Sequence, residues 1–320
     1  MGKKVLENIN MGMSWTTYIG SVHGVLNGAG LWNESVELLM GMTGMAFHFI
    51  VHKQTCPSSV TVYDWMSEHY LMMDRIGIYS ESTHIENSGN LNTFDKAGIM
   101  AVSRIKESID NGIGVVVWAP TPVLEFGIIN GYDDKDEVFF VKDCMNKNPD
   151  PLMYSNLGKS EVPVLFIQRF FDKVEVEPEK IYRDSLHFGI YQWERGSHIP
   201  LYASGREGYH NLINALEQKD FIPFGLLYLI AVYTGSKRNI DTYLKHVINE
   251  SSYLKGLEEA SDIYTVVKEK YNKMTELAPF RGPGQSDLND KNIKPLLKLT
   301  KECLDLEEKA MTVIKASLNS

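Results

Sequence analysis

The sequence predicts an α+β chain, with a mixed domain over residues 1–175 and an all-helical domain over 176–320. Three observations carry this. Residues 113–143 read as three short strands separated by turn residues. Two long stretches, 253–277 and 289–318, carry apolar stripes at helical spacing. The chain has 320 residues and is 43% hydrophobic, enough for two cores.

Taken in order, residues 24–33 are dense in Gly and Asn and read as helix and loop. Residues 35–49 read as a helix that passes through Gly41 and Gly44 into an apolar strand. Residues 64–78 space their apolar side chains as a helix that stops near Gly77. Residues 95–111 form an amphipathic helix ended by Asn111-Gly112. Strands follow at 113–118, apolar enough for burial on both faces, then at 125–131 and 137–143. Asp133-Asp134-Lys135-Asp136 turns the last two into an antiparallel hairpin. Residues 163–171 supply one more strand. Beyond Pro178, helices are predicted at 207–219, 221–233, 237–249, 253–277 and 289–318, with a loop at 281–286. Leu296, Leu299, Cys303, Leu306, Ala310, Val313 and Ile314 make the stripe of the last helix.

Bulk properties narrow the function. A formal charge of −9 argues against a nucleic-acid surface and against an anionic membrane. Residues 221–233 are apolar but too short to span a bilayer, so a buried helix is expected. The first 15 residues lack the apolar run of a secretory signal. Cys56, Cys144 and Cys303 are odd in number and scattered, which suits a reduced cytoplasmic setting. Gly41-Met42-Thr43-Gly44 is too short for a phosphate loop and lacks its lysine, so no nucleotide or other cofactor is expected. His48 and His52 are four apart on one face, but no third metal ligand stands near them in sequence.

Residues 20–32, 38–49, 95–119, 125–143 and 204–217, in that order, resemble the N-terminal domain of the butirosin biosynthesis acyltransferase family. That resemblance implies a papain-like fold, related to the cysteine peptidases that remove double-glycine leader peptides, and an acyl-transfer chemistry. In such proteins a cysteine at the head of the first long helix is the nucleophile. A histidine on the hairpin activates it, and an Asp or Asn orients the histidine. Partners implied are a small molecule, a peptide or an acyl-carrier protein in secondary metabolism.

The chain departs from that pattern at two of three positions. No cysteine lies before residue 56, and Ser21 stands at the expected nucleophile position. Glu125 stands six residues before Gly131, where the histidine would be, and only Asp143 is kept. Trp15, Thr17, His23 and Trp118 fall near the expected cleft. A serine needs a base near neutral pKa, whereas a glutamate titrates at about 4.3 unless burial raises it. Three readings stay open: a non-catalytic or repurposed binding protein, an active acyltransferase or amide hydrolase using Ser21 with Glu125 and Asp143, and an assembly protein that forms a homodimer through its helices.

Overall fold

The alternation along residues 126–142 folds into the hairpin around which the N-terminal sheet is built. The structure is a computed structural model that describes residues 2–146, 148–197, 199–251, 253–282 and 288–319. Its strands are β1 (Lys3–Val5), β2 (Ile50–His52), β3 (Ile78–Glu86), β4 (Val115–Trp118), β5 (Phe126–Asp133), β6 (Val138–Lys142), β7 (Leu152–Met153), β8 (Val164–Lys173) and β9 (Tyr202–Ser204). Its α-helices are α1 (Thr17–Gly28), α2 (Val36–Met42), α3 (Trp65–Arg75), α4 (Phe94–Asp110), α5 (Pro178–Glu194), α6 (Gly205–Gln218), α7 (Pro223–Glu250), α8 (Glu258–Leu277) and α9 (Asp290–Leu318). The fold class is mixed α+β, rich in sheet in the N-terminal region and helical in the C-terminal region.

By packing, the chain divides into two units, Met1–Leu39 with Asp64–Glu175, and Met40–Tyr63 with Val176–Ser320. Residues 40–63, read from the sequence as part of the first domain, belong with the helical unit. The reason is local pairing. β2 is antiparallel to β9. The Phe49 ring stacks on Tyr209 at 4.3 Å, and Ile50 N donates to the Tyr233 hydroxyl at 3.0 Å.

In the first unit the strands run β3-β8-β4-β5-β6-β7, all antiparallel, with β1 added beside β5. The strand β4 is buried on both faces, as its unbroken apolar run requires. Val115 and Val117 join Ile105 and Ile109 of α4 in one core cluster. On the other face, Phe126 meets Tyr18 of α1 at 5.4 Å and Trp65 of α3 at 4.9 Å. The helix α1 lies close under the N-terminal chain because three of its residues, Gly20, Gly24 and Gly28, have no Cβ. A methyl at Gly24 would stand 2.2 Å from the Asn10 carbonyl oxygen, and one at Gly20 would stand 2.6 Å from that of Gly12.

In the helical unit, α7 runs unbroken through 234–236, where two separate helices were expected. Thr234 hydrogen-bonds back to Ile230 O at 2.7 Å and across to Thr275 at 2.8 Å, so tertiary partners outweigh the weak propensity of Thr-Gly-Ser. The loop expected at 281–286 lies mostly outside the described residues. The core of this unit holds an ion pair, Lys237 to Glu307 at 2.8 Å, with side chains 2% and 1% exposed. Tyr209 and Tyr264 donate to the Glu307 carboxylate, and Lys237 Nζ lies 4.7 Å from the Phe49 ring centre. Burying two charges is costly unless pairing and further hydrogen bonds satisfy them, and here the tyrosines supply those bonds.

Candidate functional site

The head of α1 and the start of β5 bring a hydroxyl and a carboxylate together, but the hydroxyl is that of Thr17. The apolar residues Tyr18, Ile19, Val22, Val25 and Leu26 already repeat at helical spacing from position 18, and α1 accordingly begins at Thr17. Thr17 Oγ1 donates to Glu125 Oε2 at 2.5 Å and accepts from Phe126 N at 3.3 Å. This pair stands at the positive end of a helix dipole, which favours an ionised carboxylate.

Ser21 lies one turn further along. It is fully buried, and its hydroxyl donates to Thr17 O at 2.9 Å, a back-bond to the residue four before it. The structure therefore brings Glu125 to Thr17 and leaves Ser21 inside the helix packing. Expecting the helix to start at Ser21 misplaces its first turn by four residues.

Asp143 closes a turn. Its Oδ1 accepts from Met145 N at 2.7 Å and Asn146 N at 2.6 Å, and its Oδ2 accepts from Asn146 Nδ2 at 2.9 Å. Burial pushes this carboxyl up, but the bonds from Asn146 and Met145 outweigh it and hold the group below the ordinary carboxylate range. The neighbouring Cys144 thiol is pushed up to about 11, first by burial and then by the charges of Glu125 and Asp143. Although part of Cys144 meets solvent, its sulfur is a thiol at neutral pH and a poor nucleophile.

The loop between β4 and β5 positions Glu125. Ala119 N donates to Glu125 O, and Glu125 N donates to Val123 O, both at 2.9 Å. Ala119 adopts φ +45°, a left-handed conformation that costs an alanine about 1 kcal/mol. Trp118, paired across the ladder with Phe126, is 7% exposed, and its Nε1–H has no acceptor among the described residues. Trp15 is 46% exposed just before α1. His23 Nε2 lies 3.1 Å from Glu34 O on the same helix as Thr17, two turns further along.

The two histidines singled out for a metal pack on aromatic rings, His48 on Tyr63 at 4.8 Å and His52 on Tyr202 at 4.8 Å. Among the described residues, no group of three or more His, Cys, Asp or Glu side chains is placed to hold a metal ion. Among those residues too, no helix is long and apolar enough to cross a membrane.

No protein-family model matches this chain, and no curated protein matches it.

Proposed function

We propose that the first unit is a binding domain on a papain-like scaffold of the butirosin acyltransferase kind, in which the nucleophile and base have been replaced and the cleft retained. Its ligand is an amide- or amine-bearing molecule: a small molecule, a short peptide or the arm of an acyl-carrier protein.

The observation that carries this reading is the Thr17–Glu125 pair at the head of α1. A hydroxyl attacks only when a base takes its proton and a lone pair is left free to form the new bond. One Thr17 lone pair is also engaged by Phe126 N. Ser21 is spent on a back-bond, and Cys144 is held as a thiol. What remains at this place suits recognition. Trp118 Nε1 is a buried donor without an acceptor among the described residues, a state that costs about 1–3 kcal/mol and that a ligand carbonyl relieves.

A thermal-shift screen with acyl-pantetheine thioesters, amino sugars and short peptides tests the proposal. At least one of these classes should raise the melting temperature, and Trp118→Phe should abolish that rise while circular dichroism stays unchanged. Turnover of a thioester or amide that disappears in Thr17→Ala would replace binding with catalysis.

A further inference from the structure

A cleft lined by residues of α3, β3, α4 and β8 in the first unit has a volume of about 540 Å³. That falls within the roughly 300–1,000 Å³ of small-molecule sites. Its rim is apolar and aromatic: Met66 and Tyr70 of α3 and Tyr79 of β3 are each between 42% and 49% exposed. Its floor is Ile167 and Ser80, both buried.

The charges lining the cleft decide what it takes. Arg169 is buried and bonded on two sides, to Glu81 and to Glu107, each at 2.8 Å. Its charge is therefore already answered. Glu81 is also fully engaged, with Oε2 on Arg169 and Oε1 accepting from the Tyr79 hydroxyl at 3.1 Å. Among the described lining residues, Arg104 and Arg169 against Glu81 leave one net positive charge. Arg104, exposed on α4, spends one N–H on Thr83 Oγ1 at 3.2 Å and has no carboxylate partner among the described residues. Its planar fork matches a carboxylate in two-bond geometry. One uncommitted guanidinium beside two phenol rings and a thioether fits one negative charge on a flat apolar body.

We infer that this cleft binds a small aromatic carboxylate, with the acid on Arg104 and the ring against Tyr70 and Tyr79. The site is separate from the Thr17–Glu125 pair and stands or falls without it.

Isothermal titration of the full chain with 2-naphthoate, and with neutral 2-naphthol of the same shape, tests the assignment. Naphthoate should bind saturably, and naphthol should bind about tenfold more weakly or worse, because a charged hydrogen-bonded pair is lost. Arg104→Gln, on an exposed helix face, should weaken naphthoate by a similar factor and leave naphthol unchanged. Tyr70→Ala should weaken both ligands. Absence of saturable naphthoate binding, equal binding of naphthol, or full naphthoate affinity in Arg104→Gln would each overturn the inference.

Discussion

Replacing Thr17 by valine should destabilise the first unit far more than replacing Ser21 by alanine. The valine keeps the volume but removes the acceptor of the buried Phe126 N–H and the donor to Glu125. An orphaned buried amide costs about 1–3 kcal/mol, while the half-buried Glu125 regains water. At about 2–4 °C per kcal/mol for a domain of this size, the melting temperature should fall by roughly 2–12 °C. Ser21→Ala removes a neutral back-bond worth about 0.5–1.5 kcal/mol, and alanine returns up to about 0.7 kcal/mol of helix propensity. The net change should stay within about 1 kcal/mol. Urea unfolding followed by tryptophan fluorescence reads this directly, since Trp15, Trp32, Trp65 and Trp118 lie in the first unit and only Trp193 in the second. A Ser21→Ala loss equal to or larger than that of Thr17→Val would refute the assignment of Thr17 as the residue that ties α1 to the hairpin.

Other outcomes follow from the same contacts. Lys237→Met leaves Glu307 buried without its cation and should cost about 3–5 kcal/mol, a drop of roughly 6–20 °C in the second unit. Adding Glu307→Gln should recover part of it, because an amide still accepts from Tyr209 and Tyr264, and scanning calorimetry checks both variants. Asp134 is held below its ordinary value of about 3.8, chiefly by Lys106 and then by Gly2 N, and Asp133 likewise by Lys3. The stability these groups give is therefore full above that value and lost as pH falls through the lower folded values. Melts between pH 7 and 3 should drop below about pH 4, with a shallower slope in Asp134→Asn. With its pKa near 11, Cys144 should react slowly with iodoacetamide at pH 7.5 and faster as pH rises towards that value, as peptide mapping would show.

How much of this was legible depended on which side chains carried the signal. The hairpin could be read because Asp133-Asp134-Lys135-Asp136 interrupts two apolar runs, and Asp133 Oδ1 does accept from Lys135 N in the turn. The helices α8 and α9 announce themselves by their stripes. The strand β3 did not, because Ser80, Glu81, Ser82, Thr83 and His84 interrupt its apolar pattern with groups that line a cleft or meet solvent. The helix α5 was missed although Pro178 stands at its first turn, a favoured position. At the candidate site, Glu125 was found by its distance from Gly131. Thr17 was named only as a cleft residue, since a helix start four residues upstream of the matched motif carries no cap bond from Thr16 to mark it. The pairing of Thr17 with Glu125 spans 108 residues of sequence, and no local pattern encodes it.

The head of α1 is expected to bind its ligand without forming a covalent bond. Intact-protein mass spectrometry after incubation with an acyl-pantetheine thioester, and separately with a fluorophosphonate, tests it most directly. The native chain, Thr17→Ala and Ser21→Ala should all keep an unmodified mass. An acyl or phosphonyl adduct mapped to Thr17 or Ser21, and lost on substitution of that residue, would contradict it.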